Sequence, residues 1–313
     1  MALTRFQRWA FATTAATYGL IGVGGLVRAS GSGLGCPDWP KCFDRWIPPL
    51  SAADVPKHID PALFNFAKAW TEYANRLIGV AVGILIFVTL VLAIRHHKND
   101  KHVLWPTALS FLLVGFEGWL GGQVVAAQLA PIVLSAHLAV ALVIGGLLTY
   151  ATVCAMIPAA PAPAWRRNLG RWTLAVIVLA LAQVALGAII RGEVQLLGKA
   201  SPQVPRDAWL GLVGSAYRVH STMSVVVVAA VSALIWRVFQ HPAPLLRKTG
   251  LITIAVLALQ PITGLGLAWF DLPAVLQVLH LWLGSLLVAV LMVLAILCYR
   301  VDQPTRIRPP GSA

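Results

Sequence analysis

Charge is what this chain has least of. Only 11% of its 313 residues are Asp, Glu, Lys or Arg, and acids are the scarcer sign, 11 against 24 basic residues. Soluble domains carry about 25% charged residues. With less than half that share, 58% apolar residues and a mean hydropathy of +0.79, the chain has more oily surface than one water-soluble core encloses, and a bilayer is the fitting solvent. Cysteine is scarce too: there are four, and only Cys36 and Cys42 lie close in sequence, so no second pair exists to complete a zinc site.

What is abundant is hydrophobic run. Stretches of spanning length fall at about 9–27, 70–94, 103–124, 132–157, 172–190, 213–236, 249–270 and 275–299, each close to the roughly 20 residues a hydrocarbon core requires. They predict an all-α integral membrane protein with eight transmembrane helices, the fourth and sixth runs being the least sharply ended. Basic residues set the orientation. With a cytoplasmic N-terminus the inside segments hold Arg5 and Arg8; Arg95, Lys98 and Lys101; Arg166, Arg167 and Arg171; Arg237, Arg247 and Lys248; and Arg300, Arg306 and Arg308. The outer loops at 125–131 and 271–274 hold no Lys or Arg, and the long first loop offsets its cations with Asp38, Asp44, Asp54 and Asp60. Both termini are thus expected in the cytoplasm of a bacterial-type cell (inner) membrane. The net charge of +13 reads as a topology signal facing lipid headgroups, and nucleic acid is not an expected partner. The first run is long and ends in GGLVR without an A-x-A site, which argues against a cleaved leader. Trp9, Trp70, Trp105, Trp172, Trp209, Trp236 and Trp269 fall near run ends, where amphipathic rings anchor at the interface.

The first outer loop, GLVRASGSGLGCPDWPKC, lies on the oxidising side. Two prolines restrict the segment between Cys36 and Cys42, which favours a disulfide; free thiols are the second reading, and zinc, with only His58 nearby, the third. Cys154 and Cys298 sit at inner run ends as packing residues.

The chain also repeats. GGLVR ends the first run and GAIIR the fifth, placing Arg28 against Arg191; Glu117 precedes His137 by the same twenty residues that separate Gln260 from His280, and Gly121 and Gly264 precede those histidines by sixteen. Two pseudo-twofold-related four-helix bundles in parallel orientation are expected: an N-terminal half, 1–157; a linker, 158–171; a C-terminal half, 172–300; and a tail, 301–313.

Polar groups inside a bilayer are costly and mark function. His96, His97, His102 and His241 fall in inner segments and His58 in the outer loop, where solvation explains them. His137, His220 and His280 instead lie five to seven residues into even-numbered runs, at one depth near the outer face, with Asn75 as the fourth position. Facing imidazoles at matched depth ligate a haem iron from both sides. Gly121, Gly122, Gly145, Gly146, Gly264, Gly266, Gly284 and Ser285 provide room for a flat macrocycle or for close helix packing, and both readings stand. In TEYANRLIGV, Glu72, Asn75, Arg76 and Gly79 share one helix face. Glu72 and Arg76 either pair with each other or serve a site. The counterpart SAYRVHSTMS has His220 but no matching carboxylate, so one half suits a cofactor and the other a reaction.

The segments GGLVRASGSGLGCPDWPKC, EYANRLIG, LSAHL and VLHLWLG, on eight helices in two halves, resemble the haem A synthase family over nearly the whole chain. The resemblance implies a haem b held axially by His220 and His280, haem O as substrate in the N-terminal half, Glu72 as the catalytic member of an E-x-x-H-R motif, and the family's paired cysteines at Cys36 and Cys42. It also implies oxidation of the C8 methyl of haem O to a formyl group, with water as oxygen source, in haem A biosynthesis for terminal haem-copper oxidases. This chain departs from the motif with Asn75 where a histidine is usual. Asn is a poor iron ligand, so His137 is the axial candidate for haem O, in a five-coordinate or water-ligated site. Glu72 would take a proton or stabilise positive charge, haem b would pass electrons to a membrane acceptor that the sequence leaves unknown, and Arg28 and Arg76 would pair with propionates or snorkel to the interface. The opening loop would be a lid. Haem O synthase (a farnesyltransferase) and oxidase assembly factors are the implied protein partners. Two rivals remain: a di-haem b electron carrier linked to quinone would not need Glu72, and a transporter would need a polar midplane pathway that the outer clustering of polar residues does not provide.

Overall fold

A computed structural model of the chain describes residues 3–157, 164–241 and 243–300. Among them are nine α-helices, three short 3-10 turns and no strand. Helices α1 (Arg5–Ala29), α2 (Phe66–His96), α3 (Lys101–Ala126) and α4 (Pro131–Met156) are followed by α5 (Ala164–Ala200), the short α6 (Trp209–Val213), α7 (Ser215–Phe239), α8 (Pro244–Trp269) and α9 (Ala274–Arg300). All except α6 are long and apolar enough to cross a membrane. The chain is a multi-pass membrane protein with the eight spans expected.

Local chemistry sets the starts. Thr4 and Gln7 form a reciprocal capping box at α1, and Asn65 and Asp100 cap α2 and α3 by accepting from the first-turn N–H groups of Lys68 and His102. α4 and α8 begin on Pro131 and Pro244, whose missing N–H costs nothing there.

The clearest departure is α5. Hydropathy bounds it at 172–190, yet it starts at Ala164 and ends at Ala200. Its inner extension is held by Arg166, a buried side chain that donates to the Leu297 carbonyl at 3.0 Å. A basic residue that reads as solvated linker is packing inside the protein. At the outer end Ile190 and Val194 continue the apolar stripe past Arg191 and pack with Leu272, Trp209, Leu210 and Val213. The expected 158–171 linker therefore contains helix from residue 164, while 158–163 and the 301–313 tail lie outside the described residues. α6 and α7 are divided by Gly214, whose φ of +65° is costly for any residue with a Cβ.

Packing runs in two circuits. α1 touches α2 and α4, and α3 touches α2 and α4; likewise α5 touches α7 and α9, and α8 touches α7 and α9. The circuits meet where α9 packs on α1 and α4, and α4 on α5. α9 is the innermost element, with 61% of its spanning window buried against 22–39% for the other seven spans. The main apolar core lies at the end that carries Phe6, Leu92, Leu169, Leu234, Leu294 and Leu297. The histidines lie toward the opposite end, on α4, α7 and α9.

Candidate haem site

The first outer loop folds around its own small core. Cys36 and Cys42 form a disulfide, and with the fully buried Phe43 they pack on Val55 and on Ala69 of α2. Asp38 shapes the turn: its carboxylate accepts from the N–H of Phe43 at 2.6 Å and of Asp44 at 2.8 Å. Both residues have positive φ, and the acceptor offsets part of that cost.

Glu72 joins this loop to α2. It is 4% exposed; Oε2 accepts from the Cys36 N–H at 3.0 Å and Oε1 from Arg76 Nη2 at 2.5 Å. Arg76 in turn donates to the carbonyls of Lys41 at 2.7 Å and Asp38 at 3.0 Å. The pairing of Glu72 with Arg76 is real, and it is one part of a clamp that grips the loop at both ends of the Cys pair. Gly35 lets the loop come this close. A Cβ there would collide with the backbone carbonyl of Lys68, which no rotamer change relieves. Gly35→Ala should therefore release the loop from α2, seen as limited proteolysis between residues 36 and 60 at a protease level that leaves the wild type whole; equal resistance in both would refute this docking.

The loop also reaches α3. The Trp39 ring stands 3.0 Å from where a Cβ on Gly122 would be, and Gly121 beside it faces His137 Cε1 at 3.6 Å. Loop, α3 and the His137 ring are thus contiguous.

In the second circuit the structure brings His220 and His280 together, with ring centroids 6.4 Å apart and planes at 69°. An iron held by one nitrogen of each ring at about 2 Å would separate the centroids by roughly 6 Å, so the pair fits a haem iron. Tautomer chemistry agrees for His280. Thr263 Oγ1 lies 3.0 Å from His280 Nδ1 and within reach of the Leu259 and Gln260 carbonyls at 2.9 and 3.0 Å; with its single hydrogen on a carbonyl, it accepts the His280 Nδ1–H. That leaves Nε2 as the lone-pair nitrogen. His220 has a buried Nδ1 without a partner, and Gln183 fastens its backbone by donating to the His220 carbonyl at 3.0 Å. Gln183 and Thr263 escaped the sequence reading. Gln183 is an intramembrane amide and carried a usable signal; Thr263 did not, because helical threonines commonly bond their own backbone.

The first circuit differs. His137 Nδ1 lies 3.2 Å from Glu117 Oε1. Asn75 has a buried Oδ1 with no partner, and Gly79 and Gly83 on the same helix have no atom within 4 Å of a Cβ position. Under the GGLVR/GAIIR match Gly187 corresponds to Gly24. A Cβ on Gly187 would meet His220 Cε1 at 3.3 Å, whereas Gly24 has nothing within 4 Å. The space that a ring occupies beside Gly187 is open beside Gly24, on the side of the shorter Asn75. The residues present therefore suit a haem carried on His137 with an open opposite side.

Arg28 donates from Nη2 to Gln195 Oε1 at 3.2 Å, and its Nε has no partner. Gln195 on the α5 extension also donates to the Leu129 carbonyl, joining the two circuits. The small residues serve close packing of side chains from neighbouring elements. Gly121 and Gly264 face histidine rings, while Gly122, Gly145, Gly146 and Gly266 admit Trp39, Tyr18, Met292 and Leu276.

Residues 7–292 match the model of a family described as cytochrome oxidase assembly protein. A Methylobacterium radiotolerans protein named heme A synthase is 28% identical over 211 residues, covering 60% of this chain and 56% of that protein. Proteins of the same name from Shewanella oneidensis and Geobacillus kaustophilus are 33% identical over 124 residues and 29% over 143, covering 37% and 45% of this chain and 35% and 41% of theirs. The chain spans about half the length of the first of these curated relatives.

Proposed function

The chain belongs to the cytochrome oxidase assembly protein family, and from that premise we propose that it is a haem A synthase, converting the C8 methyl of haem O to a formyl group with oxygen from water. One observation carries the reading: the facing pair His220 and His280 has, at the matching positions of the first circuit, His137 and Asn75. A doubly ligated group suits a resident cofactor. A singly ligated one, under a clamped loop and close to an acid, suits a substrate.

In this reading the halves are related by a pseudo-twofold axis, His220 and His280 hold haem b, and His137 orients haem O. Haem b, when bound, supplies an electron outlet toward a membrane acceptor. Glu72 receives protons leaving the methyl carbon; its ion pair with Arg76 and its bond from Cys36 N–H place the carboxylate rigidly at the loop's edge. The disulfide-bearing loop excludes bulk water. Arg28, with its unpartnered Nε, offers a propionate contact, and Arg76 contributes by holding loop carbonyls and Glu72. Both termini are cytoplasmic in a bacterial-type inner membrane, haem O synthase supplies the substrate, and assembly factors of the oxidase receive the product.

Expression in cells that make haem O but lack another haem A synthase, followed by extraction and identification of the haems, tests this directly. Haem A should appear only with this chain. Purified protein carrying type-b haem alone, with haem O untouched, would instead establish a di-haem electron carrier.

A further inference from the structure

Glu117 is an intramembrane acid with no place in the reaction as drawn above. It is only 13% exposed at the side chain, its Oε2 is buried without a partner, and its Oε1 lies 3.2 Å from His137 Nδ1, a buried nitrogen that this close approach leaves without an aligned hydrogen bond. The second circuit is an internal reference for what this position does. His137 matches His280, Gly121 matches Gly264, and a Cβ on either glycine would meet the imidazole Cε1 atom at 3.6 and 3.1 Å, so the rings sit alike on their neighbouring helices. The residues that meet Nδ1 do not match. On α8, Thr263 takes the His280 Nδ1–H, and Gln260 turns away to donate to the His280 carbonyl at 2.9 Å. On α3 the position of Thr263 is Leu120, which has no acceptor, and the position of Gln260 is Glu117. The polar atom that approaches Nδ1 has moved by one helical turn, from the threonine position to the acid.

We infer that Glu117 is the positioning residue of the substrate site, accepting the Nδ1–H of His137 so that Nε2 is presented to the haem iron as a strongly electron-donating ligand. The inference rests on the proposal that haem O is carried by His137. A carboxyl oxygen is a stronger acceptor than a threonine hydroxyl, and a stronger acceptor on Nδ1 makes the imidazole a better donor to the metal. With Asn75 unable to ligate from the opposite side, His137 would be the one protein ligand of that iron, and Glu117 sets its donor strength. The haem b site, with two histidines and a hydroxyl on one of them, has no such carboxylate.

The test is the iron–histidine stretch in the resonance Raman spectrum of the ferrous protein, with the midpoint potential of the same haem, on holoprotein expressed with haem O. His137→Ala should abolish the five-coordinate signal and so assign it. Glu117→Leu should lower the stretching frequency and raise the potential, Glu117→Gln should do both to a smaller extent, and the His220/His280 haem should move in neither. Glu117→Gln with Leu120→Thr rebuilds the α8 arrangement and should restore haem content if Glu117→Leu loses it. A His137-dependent signal whose frequency and potential are unchanged in Glu117→Gln and Glu117→Leu, or a loss of haem that the double variant does not restore, overturns the role of Glu117. No His137-dependent haem in the wild type overturns the substrate-site reading and this inference with it.

Discussion

Glu72→Gln should lower the haem A formed per folded protein by at least about 10²-fold while haem O accumulates, because positioned acid–base groups contribute about 10²–10⁴-fold. Gln is the informative replacement for a structural reason. Its carbonyl oxygen still accepts from the Cys36 N–H or from Arg76, so most of the clamp on the loop survives. Glu72→Ala strips both bonds and leaves the Arg76 guanidinium in a half-buried site without its acid; breaking a buried pair in this way costs about 3–5 kcal/mol, and lost product would then report a lost loop. The measurement is the ratio of haem A to haem O extracted, normalised to protein that resists proteolysis in the first outer loop. A wild-type ratio in the Gln variant would show that Glu72 serves only the clamp.

Loss of either His220 or His280 should remove the low-spin, bis-histidine haem b spectrum from protein that still inserts. Second-shell partners of metal ligands are worth about 10–100-fold in affinity, so removal of a ligand itself should reduce haem b retained on purification by at least that much. The two rings come from α7 and α9, both of which pack on α5 and α8. Each alanine variant should keep its helices packed, since Gln183 and Gln260 donate to the backbone carbonyls at both positions, bonds that survive loss of the rings although Gln183 Nε2 also lies 3.4 Å from His220 Nε2. An unchanged spectrum in both variants would remove His220 and His280 as the ligands.

Much of this was legible without coordinates, for physical reasons that differ by residue. Eight spans were readable because bilayer burial demands an unbroken apolar run, and the sequence supplies eight. The Cys36–Cys42 bridge was readable from two prolines and an oxidising side. The outer end of α5 was not, because Arg191, Glu193 and Lys199 hide a stripe of Ile190 and Val194 that only packing on Leu272 and Trp209 reveals. Arg166 misled in the same way, since its charge suggested water and its place is against the Leu297 carbonyl. The pairing of Glu72 with Arg76 was one of two open readings of an i, i+4 spacing; that the same two side chains hold Cys36 N–H and the carbonyls of Asp38 and Lys41 depends on a loop 35 residues away and has no local signature. Thr263 was invisible because its sequence neighbourhood does not distinguish a hydroxyl bonded to its own helix from one that also faces an imidazole.

The innermost position of α9 bears on how the protein is made. Trp282 donates to the Tyr18 carbonyl, Met292 fills the space above Gly146, and Arg300 donates to the carbonyls of Cys154 and Ile157. Every one of these contacts joins α9 to α1 or to α4 and its C-terminal cap, which leave the ribosome earlier. The first four spans must therefore wait, with one wall missing, through the insertion of the next three, and their own circuit is covered only once α9 has emerged. A nascent chain halted before residue 274 would present the unfilled faces of α1 and α4 to lipid, so the order of synthesis postpones completion of the first circuit until the second is complete.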